Sequence, residues 1–243
     1  LTSTLASLLL LCVAYALAQG QFEQMNPLLS RGYYNSAARV VGPTLVQANP
    51  EDPQAYYLYA RALYRAGDLS GSRSALDTAF ELTGGNVPPD FVNLDGLLNA
   101  AQGNLTEGVP LLREAFEQSG SYDHAMDWGR IAWQAYELEE ALRAYEAAAT
   151  TDEGSRSPWP HLQRGRLLTY LGDVEGAIAA YRTSIAVFEE FDTGEARPSP
   201  AYVESYYRLG QIFEARGKES GDNRLLQQAL DHYRAALTGD PNY

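Results

Sequence analysis

The side chains with the widest chemical range in this chain are its three histidines, His124, His161 and His232. A transition-metal site needs several His, Cys, Asp or Glu side chains at short, regular spacing. No histidine here has a second His or a Cys at such a spacing, and Cys12 is the only cysteine. The sequence therefore predicts no metal site and no disulfide bond.

Paired carboxylates are the next candidates for chemistry, as in Glu139-Glu140 and Glu189-Glu190. Adjacent residues of a helix point about 100° apart, so such a pair does not converge on one substrate atom as an acid and a base must. The chain also has no glycine-rich phosphate loop after a strand and no G-x-S-x-G elbow. We therefore expect a non-enzymatic protein that holds no cofactor.

Charge and hydropathy restrict the partners and the compartment. With 31 acidic and 18 basic residues, the net charge of −13 excludes general binding to nucleic acid or to anionic membranes. Residues 1–18 carry no charge, and Ala16 and Ala18 provide the small residues that a signal peptidase requires. This pattern predicts a signal peptide over 1–18 and a mature chain, 19–243, that is exported to the periplasm, the cell envelope or the exterior.

The apolar run within 1–18 is too short for a comfortable membrane span, so we expect no stable span once the signal peptide is cleaved. The alternative is an apolar N-terminal helix that packs on the next structural unit. Cleavage before Gln19 would also remove Cys12 and leave the mature chain without a thiol.

A repeated spacing of small and large residues indicates which elements position the rest of the chain. Gly67 is followed after five residues by Ser72, then by Leu76 and Ala79. The same order recurs as Gly32-Ala37-Val41-Thr44, Gly103-Gly108-Leu112-Ala115 and Gly172-Ala177-Tyr181-Ser184. Another small residue lies twelve positions before the first small residue of several units, as in Ala60, Gly96, Gly129 and Gly165. Small side chains let two antiparallel helices cross closely, and glycine favours the end of the first helix.

The segment YYLYARALYRAGDLSGSRSALDTAFELTG, residues 56–84, resembles the tetratricopeptide repeat nearly throughout. Similar units with a period of about 34 residues cover almost all of the mature chain. The resemblance places repeats near 19–52, 53–88, 89–121, 122–157, 158–201 and 202–243. It implies an all-α fold, an α-solenoid in which antiparallel helix pairs stack into a right-handed superhelix, and we expect essentially no β-sheet.

Several positions depart from the repeat pattern. Asp95 and Asn99 occupy positions that are usually apolar or aromatic, and Tyr136 replaces the turn glycine of the fourth repeat. The last repeat carries seven extra residues within GKESGDNRLLQQAL. We expect these extra residues to lengthen the loop between its two helices, with an extra turn of helix as the other element they could add.

In the family that the chain resembles, one face of each first helix lines a concave surface that binds extended peptides or helices of partner proteins. Transferred position by position, this face supplies the candidate partner-binding residues Tyr57, Arg61, Tyr64, Arg65, Asn93, Met126, Arg130, Trp133, Leu162, Arg166, Tyr170 and Tyr207. Four of them are arginines and none is a lysine. Arginine and aromatic side chains dominate protein interfaces, and arginine binds carboxylates through two hydrogen bonds. The alternative is that these arginines pair with acidic residues of the next helix.

These patterns favour an exported, non-enzymatic scaffold that binds another protein through a peptide or helix, most simply an acidic or carboxylate-bearing one. The alternative is a structural envelope protein that self-assembles into homo-oligomers. In that case copies would stack through the last repeat, which lacks an additional polar capping helix.

Overall fold

The computed structural model describes residues 20, 22–191, 194 and 198–243, and every regular element in this part of the chain is helical. The predicted signal peptide, 1–18, lies outside the described residues. Within these described residues, twelve helices follow one another as antiparallel pairs, as the sequence predicts. Helix α1 covers residues 22–30, and α2 runs through Tyr34–Ser36, the π-helical Ala37–Val41 and Gly42–Ala48. The others are α3 (Pro53–Ala66), α4 (Leu69–Leu82), α5 (Pro89–Ala101), α6 (Leu105–Ser119), α7 (Tyr122–Gln134), α8 (Leu138–Thr150), α9 (Trp159–Leu171), α10 (Val174–Phe191), α11 (Pro200–Ser220) and α12 (Asn223–Gly239).

The described part of the chain forms two compact units, the first ending at Ala115 and the second running from Phe116 to Tyr243. Each helix contributes an apolar stripe that is buried against its neighbours within the unit. Buried members of the two clusters include Leu45, Leu76 and Phe91 in the first unit, and Leu162, Tyr181 and Leu209 in the second. Each unit is thus held together by contacts between successive helix pairs.

The turn inside a helix pair combines a left-handed residue with a capping residue. In three pairs a glycine with positive φ ends the first helix, and the following aspartate accepts a hydrogen bond from a backbone N–H at the start of the second. These turns are Gly67-Asp68, Gly172-Asp173 and Gly221-Asp222. Glycine reaches this conformation without a steric penalty, and aspartate satisfies a donor that the helix itself leaves free.

The predicted small residues lie where the paired helices cross. A Cβ atom added to Gly129 or Gly165 would lie 2.6 Å from a ring carbon of Tyr145 or Tyr181, respectively. In α3 and α4 the crossing is closed by Ser72, whose buried hydroxyl donates to the carbonyl of Ala60 at 2.7 Å. The spacing of small and large residues in the sequence therefore reports the close approach of two helices.

The polar departures of the third repeat form a connected cluster. Arg73 of α4 pairs with Asp95 of α5 at 2.5 Å between Nη1 and Oδ1. Asn99 donates from Nδ2 to the same Oδ1 at 3.0 Å and to the Asp95 carbonyl at 3.0 Å. The two unusual residues thus connect one helix pair to the next through shared hydrogen bonds.

In the last repeat the prediction of a longer loop is wrong, whereas the added helical turn is present. Helix α11 continues to Ser220 and α12 begins at Asn223, so only Gly221 and Asp222 separate them. The extra residues lengthen both helices, because the two stay in close contact along the added turns. A Cβ on Gly217, for example, would lie 2.7 Å from Cδ2 of Leu226.

Candidate functional site

A groove in the second unit collects five of the predicted partner-binding residues. We call it the Arg130–Arg166 groove; its volume is about 570 Å³. Met126, Arg130 and Trp133 lie at spacings of four and three residues, which places them on one face of α7. Arg166 and Tyr170 share a face of α9 in the same way. The lining is completed by Asp127, Gln134, Tyr136, Tyr145 and Gln163.

Arg166 connects the two helices that form the groove. Its guanidinium carbon lies 5.8 Å from the centroid of the Trp133 ring, within the range of a cation–π contact. Its Nη1 donates to Oε1 of Gln163 at 3.3 Å. Its Nε lies 3.7 Å from Oε1 of Glu204, which Arg208 also contacts at 3.0 Å. The Glu204 carboxylate therefore contacts the guanidinium groups of both Arg166 and Arg208.

Arg130 pairs with Asp127 one turn earlier on the same helix, at 2.7 Å between Nη2 and Oδ1. Its side chain nevertheless remains 46% exposed and lines the groove. The predicted alternative, in which arginines pair with acidic residues of another helix, applies in part to Arg166 through Glu204. Arg130 and Arg166 thus each contact an acidic side chain and still have a guanidinium group that is partly exposed to solvent.

Tyr145 forms part of the groove surface although its ring is buried against Gly129. Burial raises the pKa of Tyr145 to about 12, while the charges of Arg130 and Arg166 act in the opposite direction. Both guanidinium groups are thus close enough to act on this hydroxyl. At neutral pH the phenol keeps its proton and can donate a hydrogen bond.

Five lining residues are outside the predicted set, and the two aromatic ones among them, Tyr145 and Tyr136, were missed for different reasons. Tyr145 occupies the repeat position that fills the space between the paired helices, and this position by itself predicts a core residue. Tyr136 was noticed only as a departure from glycine in the turn. The signal that could have identified it is the replacement of a turn glycine by a large aromatic residue.

Three of the predicted binding residues are buried instead, which corrects their assignment to an open surface. Leu162 is 0% exposed and packs in the core cluster of the second unit. Tyr57 is 7% exposed because its ring stacks on Phe91, with centroids 4.6 Å apart. Asn93 is also buried. These side chains belong to the packed interior of their helix pairs.

The remaining predicted residues lie apart from the Arg130–Arg166 groove. In the first unit Arg61 and Arg65 are exposed and Tyr64 is half-buried; the guanidinium carbon of Arg65 lies 5.9 Å from the Tyr34 ring centroid. In the second unit Tyr207 contacts the rings of Tyr233 and Tyr243, with centroids 5.7 Å and 5.3 Å away. These residues are not part of the groove lining.

Within residues 20, 22–191, 194 and 198–243 there is no group of three His, Cys, Asp or Glu side chains suited to a metal ion. None of the helices in this same part of the chain has the length and apolar character needed to cross a bilayer.

Comparison with known proteins identifies the repeat. The profile of the tetratricopeptide repeat matches residues 15–86 and 162–243, together more than half of the chain. A search of curated proteins found no match.

Solved structures share the fold at low sequence identity. PilW, described as a widely conserved type IV pilus biogenesis factor, has a TM-score of 0.69 at 12% identity, covering 93% of this chain and 94% of PilW. PilF of Pseudomonas aeruginosa has a TM-score of 0.63 at 13% identity, with 95% and 96% covered. YrrB, described as a TPR protein with an unusual peptide-binding site, has a TM-score of 0.57 at 18% identity, with 85% and 95% covered.

Proposed function

Because the chain belongs to the tetratricopeptide repeat family, a class of protein-interaction scaffolds, we propose that it is a non-enzymatic adaptor that binds a partner protein in the Arg130–Arg166 groove. The partner contributes a segment with a carboxylate, either an acidic side chain or a free C terminus. The observation that carries this proposal is the convergence of two arginines and several aromatic residues, Tyr145 among them, on one groove.

The charges around the groove favour an anionic segment. Arg130, Arg166 and Arg208 contribute three positive charges, while Asp127 and Glu204 contribute two negative ones. A local positive excess remains in a chain whose net charge is −13. Such a patch attracts the carboxylates of an anionic segment.

The apolar walls supply the second half of the recognition. Met126, Trp133 and Tyr170 line the groove beside the arginines. Aromatic side chains bury a large area at a low cost in conformational entropy, and arginines beside them form bidentate bonds to carboxylates. The groove therefore suits a short segment that alternates an acidic residue with an apolar one.

The proposed place of action is the cell envelope or the exterior, and it depends on the predicted signal peptide over 1–18. The fold shared with PilW is consistent with this place, since that protein is described as a pilus biogenesis factor. YrrB shows that a protein of this fold can carry a peptide-binding site.

The proposal is tested by selecting peptides from a random phage-displayed library of dodecamers on the purified chain. Enriched peptides are synthesised with free and amidated C termini and titrated by fluorescence anisotropy. We expect enrichment of Asp and Glu, and Arg130→Ala should weaken binding by about 2–5 kcal/mol if the carboxylate is desolvated in the complex. A free C terminus that is required for binding would identify that carboxylate as the ligand. Enrichment without acidic residues, or wild-type affinity of Arg130→Ala, would contradict the proposal.

Self-assembly is a second candidate, favoured by the surface of α12. Leu230 and Leu237 are seven residues apart on this helix, and each is 49% exposed. Residues at this spacing share one face, so the two leucines form an apolar stripe suited to another copy. Light scattering during size-exclusion chromatography tests this alternative. A dimer that Leu237→Glu dissociates would support it, and a monomer at micromolar concentration would exclude it.

A further inference from the structure

Tyr136 adopts a backbone conformation that glycine takes at the other turns of this kind. Its φ is 61°, and no other residue except glycine has a positive φ in the described part of the chain. The Tyr136 N–H donates to the Trp133 carbonyl at 3.1 Å, and the Glu137 N–H donates to the Ala132 carbonyl at 2.9 Å. Gly172 and the residue after it make the equivalent two bonds at the end of α9. The fold therefore requires a left-handed residue here, and glycine would satisfy it without strain.

The residue that follows is also unfavourable for the turn. Glu137 precedes α8, yet its side chain makes no capping hydrogen bond to the helix. The aspartates at the matching position in three other pairs, Asp68, Asp173 and Asp222, each accept such a bond. Neither residue of the Tyr136-Glu137 turn thus has the type that stabilises the other turns, so folding does not account for the choice of tyrosine.

The position of the Tyr136 side chain indicates its role instead. The side chain is 74% exposed, so it contributes little to the core, and it lines the Arg130–Arg166 groove. Tyr170 lines the same groove and is 59% exposed. Two large aromatic rings are therefore accessible at the groove, close to two arginines. Backbone strain that persists without a benefit to the fold is typical of functional sites.

We propose that Tyr136 is a specificity-determining residue of the groove, which together with Tyr170 binds an aromatic or long aliphatic side chain next to the carboxylate of the partner segment. This inference rests on the proposed function, because it adds a second recognition element to the same groove. Aromatic pairs at ring separations of 4.5–7 Å add affinity beyond the area they bury, and an apolar side chain held by two rings would select its own position in the peptide.

Two single substitutions at this turn, Tyr136→Gly and Glu137→Asp, distinguish an effect on peptide binding from an effect on stability. Tyr136→Gly relieves the strained φ and should raise the Tm by about 2–4 °C, as expected for a chain of this size. Glu137→Asp introduces the missing cap and should also raise the Tm. Only Tyr136→Gly removes a ring from the groove, so only this variant should weaken binding, by about tenfold. Tyr136→Phe keeps the ring and should bind within about twofold of the wild type.

The probe is the phage-displayed dodecamer library, selected in parallel on the wild-type, Tyr136→Gly and Glu137→Asp chains. We expect wild-type and Glu137→Asp selections to enrich an aromatic or aliphatic residue next to the acidic one, and Tyr136→Gly to keep the acidic residue but lose its apolar neighbour. An unchanged apolar preference in Tyr136→Gly, or none in the wild type, would overturn the role of Tyr136 alone. A wild-type selection without acidic residues would overturn the groove function, and the role of Tyr136 with it.

Discussion

The contact between Gly165 and Tyr181 provides a quantitative test of how the helix pairs are held together. A Cβ atom on Gly165 would lie 2.6 Å from Cε1 of Tyr181, whereas carbon atoms in favourable contact are about 3.5–4.0 Å apart. The Tyr181 ring is fully buried, so it cannot move aside freely. Its hydroxyl also shares a hydrogen bond with Thr169 at 3.1 Å, which a displacement of the ring would stretch or break.

These contacts set the expected size of the effect. Overpacking by one methyl group costs about 1–3 kcal/mol, and the loss of the hydrogen bond to Thr169 would add about 1 kcal/mol. Replacement of glycine by alanine within a helix stabilises the chain by about 1 kcal/mol, because alanine has the higher intrinsic helix propensity. We therefore expect Gly165→Ala to lower the free energy of unfolding by about 1–3 kcal/mol.

The effect of Gly165→Ala on the free energy of unfolding should change sign when the Tyr181 ring is removed. The equivalent positions of α3 and α4 hold Ala60 and Leu76, both fully buried, so the alanine–leucine combination is compatible with this fold. In a Tyr181→Leu background, Gly165→Ala should therefore stabilise the chain by up to about 1 kcal/mol. Urea unfolding of the four chains of this double-mutant cycle, followed by circular dichroism, measures the coupling. Equal destabilisation by Gly165→Ala in both backgrounds would refute the clash with Tyr181 as its cause.

Three further predictions concern single side chains. Arg130→Ala and Arg143→Ala each remove an ion pair to an acidic residue one turn earlier. The two arginine side chains are 46% and 60% exposed, so both variants should change stability by less than about 1 kcal/mol, and only Arg130→Ala should weaken binding of groove-selected peptides. Burial raises the pKa of Tyr57 and of Tyr145 to about 12, from an unfolded value near 10. The stability that these two protonated phenols contribute is therefore complete below pH 10 and is lost between pH 10 and 12. In absorbance titrations at 295 nm, the Tyr57→Phe and Tyr145→Phe variants should each show one fewer phenol that ionises late. Asp95→Ala leaves the side chains of Arg73 and Asn99 without their shared acceptor and should cost about 1–3 kcal/mol in thermal unfolding, while no effect would mean that this cluster is not structural.

The helix pairs could be predicted because their signals are local. Glycine and aspartate at a turn, and small residues at helix crossings, act within one or two neighbouring helices, so their spacing is visible in the sequence. The length of the last pair was not predictable in the same way. The extra residues contain Gly217, Gly221 and Asp222, each of which suits a turn, and only the packing of Gly217 against Leu226 shows that α11 continues past the first of them.

The candidate site was predicted less completely than the fold. A residue at the margin of a binding face is exposed or buried according to its neighbours in space, and these are not visible in its own helix. Tyr57 is covered because Phe91 of α5 stacks on its ring, and Leu162 is covered by the apolar cluster of the second unit. Tyr136 lies outside the first-helix face altogether, since it belongs to the turn that follows α7. The two aromatic residues that the structure adds to the groove, Tyr136 and Tyr145, thus belong to the turn and to the second helix.

Tyr145 shows how the packing of a helix pair and the chemistry of the groove depend on one side chain. Its ring occupies the space that Gly129 leaves open, while its hydroxyl is influenced by Arg130, the next residue of α7, and by Arg166. Close packing of α7 on α8 therefore also fixes the position of a hydroxyl whose pKa is raised by burial and lowered by the charges of both arginines. A methyl group on Gly129 would displace the ring and with it the hydroxyl, so Gly129→Ala should affect both stability and binding. Tyr145→Phe keeps the ring against Gly129 and removes only the donor, and any loss of binding in that variant at unchanged Tm can be assigned to the hydroxyl itself.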